Sequence, residues 1–409
     1  MKFLLIYPKW EKLDRQTSFT LPPHGPVVMA AALPEYIDVT FIDENVEPID
    51  FDAAVDFVGI SMMLTAQVRR GWEIADAFRA RGIKVICGGI ATMLHAEECG
   101  QHADAVFMGE AEGRMELIFD DLKQNRLQPV YDYMQNFPPI ENVGTARRSI
   151  LKRPMYNYRG VQMVDLVHAS RGCRFNCYPC AVRFLGGRSF RPRPYDKVIE
   201  ELATIDNNRL FIVDNSLAQD KEWEMGLFKE MIPLKKKWCS HPIEDDDQVL
   251  DLAAQAGAWF VYQAIFDSSD FIRDRIKRYH DYGIAVEGSI LLGLDYHTED
   301  YIKRWMDFLL EVELDMAEFT ILTPFRHTRT FDDLHNAGRI FSYDWNDYTC
   351  GKVVFQPKLM TPEKLQEMYY YCWDRFYEEE PQNYKMFKLL KNVMEKEKRD
   401  GTFKPRVRS

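Results

Sequence analysis

The sequence predicts an α/β protein: a doubly wound parallel sheet, then a full or partial (β/α) barrel, then a helical C-terminal region. Three observations predict it. Short apolar runs alternate with helical patterns over residues 1–136, and again over 149–338. The runs are continuous rather than alternating, as strands buried on both faces read. With 46% hydrophobic and 13% aromatic residues in 409, the chain can fill more than one core.

Residues 1–136 hold five such runs: KFLLIYP, DVTFID, FVGISM, KVICGG and AVFMGE. Each ends in Gly, Pro or polar residues. The stretch QVRRGWEIADAFRARG reads as a helix closed by Gly82. Strand–helix alternation gives a doubly wound sheet, and ligands of such sheets lie beyond the carboxyl ends of the strands. The strand-end pairs Gly59 with Ser61, Gly88 with Gly89, and Gly109 with Glu110 therefore have a use. NFPPIENVGTARRS has two prolines and no periodicity, which makes 137–148 a linker.

In 149–338 the runs are VDLVHAS, RLFIVDNS, AWFVYQAIFD, IAVEGSILLGLD and MAEFTILTPF, with helices such as YDKVIEELATID between them. Repeated βα units predict a full or partial barrel with its active site at the carboxyl ends of the strands. Residues 339–409 read as helical, with the aromatics of MYYYCWDRFY in core packing. There is no internal repeat and no low-complexity tract.

The net charge of -11 gives no reason to expect nucleic-acid binding. From Lys385 to Arg408 nine Lys or Arg face three acids, which reads as a solvated helix face and tail. No run is long enough for a transmembrane segment. MKFLLIYPKW is short, ends in charge and lacks a cleavage site, so it is not read as a signal peptide. The expected location is the cytoplasm, where a cysteine cluster binds metal or reacts rather than forming disulfides.

Such a cluster follows the first strand of the second part. HASRGCRFNCYPCAVRFLGG carries Cys173, Cys177 and Cys180 in a C-x3-C-x2-C spacing. Thiolates select iron–sulfur clusters, zinc or copper(I). A four-iron cluster held wholly by protein takes four cysteines, and a structural zinc site takes four ligands. Cys87, Cys99, Cys239, Cys350 and Cys372 are scattered and read as small buried hydrophobes. Three thiolates on a four-iron cluster would leave one iron open to a substrate or cofactor. A zinc site completed by His168, in a non-catalytic binding protein, is the alternative.

C-x3-C-x2-C after a first βα strand resembles the radical S-adenosylmethionine (SAM) superfamily. The resemblance implies a [4Fe-4S] cluster on Cys173, Cys177 and Cys180, SAM on the open iron, and its cleavage to a hydrogen-abstracting 5'-deoxyadenosyl radical. FVGISMMLTAQ, VICGGIATMLHAEEC and AVFMGEAEG resemble strand ends of the subgroup with an N-terminal cobalamin-binding domain. FIVDNSLAQDKEW, YHDYGIAVEGSILLGLDYHTED and FTILTPFRHTRTFDDLHNAGRI resemble its later barrel segments, so the likeness runs from Lys2 to Trp345. It implies SAM contacts at Asp214, Asn215, Ser289, Gly293, Asp295, Thr323 and Pro324. It implies cobalamin contacts at Ser61, Thr65, Gly88, Gly89, Thr92, Gly109 and Glu110. Gly172 is expected to turn the cysteine loop.

The sequence also departs from the pattern. Pro179, with Tyr178 before it, stands where an aromatic usually precedes the third cysteine. GGIATML lacks the His of Gly-Gly-x-His-x-Thr. Phe266 and Asp267 replace a Glu-Ser pair near the SAM ribose. The D-x-H-x-x-G motif of other cobalamin domains is absent, as it generally is in this subgroup. The leading reaction is C-methylation of an unactivated carbon. Radical ring formation, oxidation or rearrangement of a lipid, tetrapyrrole or natural-product intermediate is the alternative. An apolar small-molecule substrate and a one-electron donor such as flavodoxin or ferredoxin are expected. His24 and His168 read as structural histidines, and Tyr296 and His297 as rim residues. Arg191 and Arg193 read as carboxylate contacts for a ligand.

Overall fold

The computed structural model describes residues 1–12, 15, 20–158 and 161–404. The first sheet is formed by β1 (Lys2–Tyr7), β2 (Asp38–Asp43), β3 (Phe57–Ser61), β4 (Lys84–Gly88), β5 (Ala105–Met108) and β6 (Val130–Asp132). All pairs are parallel and the order is β2-β1-β3-β4-β5-β6. The five expected strands are present. The sixth was not foreseen, because three residues with an exposed valine carry no pattern.

Helices α1 (His24–Ala31), α2 (Val68–Arg79), α3 (Ile90–Leu94), α4 (Ala96–His102) and α5 (Met115–Lys123) cover the sheet on both sides. Alternate strand residues divide between two cores. Phe3, Leu5, Phe57 and Phe107 pack with α1 and α5, while Leu4, Ile6, Val58 and Val85 pack with α2 and α4. β1 lies between β2 and β3, so the chain direction across the sheet reverses there, and this is where such folds open a crevice. Gly82 ends the α2 region at φ 78°.

A short hairpin, β7 (Asn157–Tyr158) with β8 (Val161–Gln162), precedes the first barrel strand, β9 (Asp165–Val167). VDLVHAS is therefore not one strand: after β9 the chain turns. β10 (Ser170–Arg171) pairs antiparallel with β11 (Arg191–Pro192), and the cysteine loop and α6 (Val182–Leu185) lie between them.

The barrel continues through β12 (Arg209–Ile212), β13 (Lys237–Ser240), β14 (Ala258–Ile265), β15 (Ala285–Leu292) and β16 (Met316–Ile321). With β9 they form a six-stranded parallel sheet in sequential order whose end strands do not pair, so the barrel is partial. α7 (Tyr195–Thr204), α8 (Lys221–Met231), α9 (Asp247–Gln255), α10 (Asp270–Asp281), α11 (Glu299–Glu311) and α12 (Arg329–Asn336) accompany it. Asp220, Asp246, Thr298 and Thr328 cap four of these helices through side-chain oxygens.

α13 (Pro362–Phe376) and α14 (Gln382–Arg399) form the C-terminal region. The basic stretch is not merely a solvated face. Leu389, Leu390 and Val393 of α14 pack against Trp259, Phe260 and Met163, and Glu397 is buried against Arg209. Apolar residues at helical spacing decide its place; Lys388 and Lys391 face outward, while Lys385 and Lys396 donate to the Leu314 and Gly283 carbonyls. Among the described residues no helix is long and apolar enough to cross a membrane.

Candidate active site between the two sheets

A cavity of about 370 Å³ lies between the carboxyl ends of the first sheet and the start of the barrel. The first sheet contributes Ser61, Gly88, Gly89, Gly109 and Glu110. α1 contributes His24 and Gly25, and the barrel contributes His168, Ser170, Arg171, Gly172, Asp214 and Asn215. The cavity runs on between the sheet and helices α1 and α5 as an apolar slot walled by Phe3, Leu5, Phe57, Phe107 and Phe119.

Two glycines are required here. Gly89 has φ 93°, and a Cβ on it would lie 2.4 Å from the Met62 carbonyl oxygen. Gly172 has φ 74°, and its Cβ would lie 2.1 Å from the Ser189 oxygen. The turn expected at Gly172 is thus enforced by the strand that returns beside it.

The cysteine loop is held from the barrel. Gln219 accepts from the Arg174 N–H at 2.9 Å and donates to the Gly172 carbonyl at 3.3 Å, and Asn215 donates to the same carbonyl at 3.4 Å. Cys173 is buried, while Cys177 and Cys180 are exposed. Burial pushes the Cys180 thiol up, and the neighbouring Cys173 and Cys177 add to this. Among the described residues no three His, Cys, Asp or Glu side chains stand ready as a metal site. The three thiols nonetheless share one loop of eight residues. That donor set fits a cationic cluster taking three protein thiolates.

Asp214 ends its strand inside the cavity wall. Burial pushes its carboxyl up to about 6, against hydrogen bonds from the Ser170 hydroxyl and the Ala169 N–H. Across the cavity mouth, Arg171 bonds Glu110 at 2.7 Å and Glu112 at 2.6 Å. Arg191 also pairs with Glu110.

This corrects the expectation for two arginines. Arg191 is taken by Glu110. Arg193, 1% exposed, lies between Glu201 and the His168 carbonyl, each at 2.7 Å. A buried guanidinium has to be paired within the fold, so neither is free for a ligand carboxylate.

Of the residues implied for cobalamin, Ser61, Gly88, Gly89, Gly109 and Glu110 line the cavity; Thr65 and Thr92 do not. Thr92 donates to the Gly88 carbonyl at 2.8 Å, and Thr65 lies 3.4 Å from His95 Nε2. Of the SAM set, Asp214 and Asn215 line it. Ser289 lies on β15, in register with Glu318. Gly293, Asp295, Thr323 and Pro324 follow β15 or β16, outside the cavity lining. Asp295 is held by Arg339 at 2.7 Å, and Thr323 donates to Ile321. Phe266 is 51% exposed. Asp267 accepts from Ser269 and so shapes the start of α10. His297 is buried, accepts the Gly293 and Leu294 N–H groups, and is pushed down to about 4 by burial. It shapes a turn.

Sequence reasoning missed Arg171 and Glu112 and set aside His24 and His168, which line the cavity as a pair. The apolar slot, the close backbone at the glycines and two unpartnered buried nitrogens on these histidines fit a large ligand with an apolar part and polar edges.

A family model, the B12 binding domain, matches residues 14–119. The chain is 25% identical over 393 residues to the bacteriochlorophyllide d C-12(1)-methyltransferase of Chlorobaculum tepidum, covering 90% of this chain and 85% of that one. It is 25% identical over 371 residues to the bacteriochlorophyllide d C-8(2)-methyltransferase of the same organism, covering 83% and 82%. Its fold is that of the radical SAM methyltransferase TsrM from Kitasatospora setae, solved with cobalamin and a [4Fe-4S] cluster bound. The TM-score is 0.64 at 15% identity, over 82% of this chain and 78% of that one.

Proposed function

We propose that the chain is a radical SAM enzyme with an N-terminal cobalamin-binding domain and that it methylates an unactivated carbon of an apolar, tetrapyrrole-like small molecule. One observation carries this reading: a single cavity runs from the glycine-edged ends of the first sheet to Gly172 and Gly186, which flank Cys173, Cys177 and Cys180 on their loop, while the three thiols themselves lie outside its lining. The reading divides the chain into a cobalamin-binding-like domain at 1–136, a linker at 137–148, a radical SAM barrel at 149–338 and a helical C-terminal region at 339–409. Relatives that act on bacteriochlorophyllide d support the substrate class. Phe266 and Tyr296, exposed beyond β14 and β15, give the rim an apolar character that suits it.

When bound, the cluster and SAM supply one-electron cleavage to a hydrogen-abstracting radical, and cobalamin supplies the methyl group. The rest falls to the chain's own residues. Cys173, Cys177 and Cys180 would hold the cluster. Gln219 and Asn215 fix the carbonyl at the start of their loop. Gly88 and Gly89 would line the cobalamin side of the cavity, and the slot beside Phe3 and Phe57 would shelter an apolar part of that ligand from water. Asp214 and Asn215 border the SAM side. The exposed Cys177 and Cys180 side of the loop faces a one-electron donor such as flavodoxin or ferredoxin, and the reading places the protein in the cytoplasm.

The test begins with anaerobic reconstitution with iron, sulfide and hydroxocobalamin. Reductant, SAM and bacteriochlorophyllide d are then added as probe substrate. Four irons per chain, retained corrinoid, 5'-deoxyadenosine and a product heavier by one methyl group are expected. Turnover to a ring-closed or oxidised product without S-adenosylhomocysteine would replace methylation by the other radical chemistry.

A further inference from the structure

His24 opens α1 on the first sheet, and His168 follows the first barrel strand. His24 Nε2 lies 2.8 Å from His168 Nδ1, and the ring centroids are 5.0 Å apart in an edge-on arrangement. Both residues line the cavity. His168 is 6% exposed. The bridge uses one nitrogen of each ring. The other two, His24 Nδ1 and His168 Nε2, are buried without a hydrogen-bond partner. Buried polar atoms nearly always have one.

Both rings are neutral at pH 7. Burial, then the charges of Arg148, Arg171 and Arg193, push His24 down to about 3. Burial, His24 and the same arginines push His168 well below its ordinary value. A neutral imidazole carries one N–H and one lone pair. In the bridge one ring donates and the other accepts, so the two outer nitrogens must be one donor and one acceptor. The Leu166 carbonyl favours a proton on the His24 side, although its geometry falls short of a hydrogen bond. That leaves His168 Nε2 as a buried lone pair. Neither nearby guanidinium donates to it: Arg193 Nη1 is engaged with Glu201 and the His168 carbonyl while its Nε is buried without any partner, and Arg171 is engaged with Glu110 and Glu112.

We propose that His168 Nε2 accepts a hydrogen bond from a carboxamide N–H on the rim of bound cobalamin, and that His24 is the positioning residue that fixes its tautomer. This rests on the cofactor reading above. A neutral acceptor suits a neutral carboxamide. It is a poor partner for the carboxylate of SAM, which the free lone pair repels. The cavity that His168 lines also continues into the apolar slot of the first sheet, so a ligand filling both is one that the first sheet holds.

The test uses the full chain carrying His168→Phe, His168→Gln or His24→Phe. Affinity is read from visible spectra during titration with hydroxocobalamin and with cobinamide, which keeps carboxamides but lacks the nucleotide tail. SAM affinity is read separately. His168→Phe is expected to weaken both corrinoids about tenfold, the effect of one lost hydrogen bond. His168→Gln, whose side-chain carbonyl accepts, restores most of the loss, and His24→Phe costs a few-fold. SAM affinity stays unchanged. Wild-type corrinoid affinity in both His168→Phe and His24→Phe overturns the proposal while leaving the cofactor reading intact; if His168→Phe fails to fold, the His24→Phe titration decides alone, and wild-type affinity in it overturns the proposal. A loss confined to cobalamin moves the contact to the nucleotide tail and overturns it. So does a loss confined to SAM. Wild-type protein that binds no corrinoid overturns the cofactor reading, and the proposal with it.

Discussion

Glu110, just past β5, takes the Arg171 guanidinium at 2.7 Å, and Arg171 immediately precedes the glycine that turns the cysteine loop. Arg191, at the other end of that loop, pairs with the same carboxylate. The first sheet therefore grips both ends of the segment bearing the three thiols. Burial alone would raise the Glu110 carboxyl, but the two arginines hold it below its usual range. Glu110→Gln is expected to lower stability by about 1–3 kcal/mol, less than loss of a fully buried ion because Glu112 still holds Arg171. Urea unfolding gives the stability, and iron retained after reconstitution should fall with it. Unchanged values on both counts would mean that the clamp does not order the loop.

The three thiols separate structure from ligation. Cys177 and Cys180 are exposed, so Cys177→Ala and Cys180→Ala should leave the stability of the metal-free chain within about 0.5 kcal/mol of wild type. Each should abolish iron and sulfide retention. Zinc at one per chain, with no sulfide, would restore the reading of a zinc-bearing protein.

Asp214 sets a pH dependence. Its folded value of about 6 lies above the ordinary 3.8, chiefly through burial. The folded state therefore holds the proton more tightly than the unfolded chain. The favourable contribution is full below about pH 4 and is lost as pH rises through 6. Relative to wild type, Asp214→Asn should thus gain stability between pH 4 and 7, by up to about 3 kcal/mol. Unfolding of both proteins at pH 4.5 and 7.5 measures it, and a pH-independent difference would show that Asp214 titrates normally.

Much of this was legible because it is local. Continuous apolar runs gave ten of the strands, and the C-x3-C-x2-C spacing needs only eight residues. Asp214 and Asn215 could be placed because parallel strands deliver their carboxyl ends to one rim. β13 was hidden because Lys237 and Ser240 interrupt its apolar pattern, and the lysine finds Asp400 only in the fold. Arg191 was misread because its partner Glu110 lies 81 residues away. Thr65 and Thr92 follow strand ends, but His95 and the Gly88 carbonyl take their hydroxyls. The His24–His168 pair joins two sheets across 144 positions, a distance at which spacing carries no signal.

Gly89 tests the cradle. At φ 93°, with Met62 backbone 2.4 Å from a Cβ, an alanine is both strained and obstructed. Gly89→Ala should cost about 1–3 kcal/mol and reduce corrinoid retention. Gly144, outside the cavity lining and with nothing within 4 Å of its Cβ, is the control that adds bulk without strain. Full corrinoid retention in Gly89→Ala would place the ligand away from this strand end.

The C-terminal helix tests whether the basic tail is structural. Glu397 meets Arg209 at 2.8 and 3.0 Å, with both side chains under one-tenth exposed. Arg209 opens β12, so the pair ties α14 to the amino end of the barrel, opposite the cavity. Removing one member leaves a buried charge alone, and Glu397→Ala should cost about 3–5 kcal/mol. Lys391→Ala, on the exposed face of the same helix, should stay within about 0.5 kcal/mol. If the segment were only a solvated tail, the two variants would unfold alike. If α14 closes the barrel, Glu397→Ala unfolds at lower urea while its corrinoid affinity, read where it is still folded, stays at the wild-type value, because the damage lies at the far end from the site.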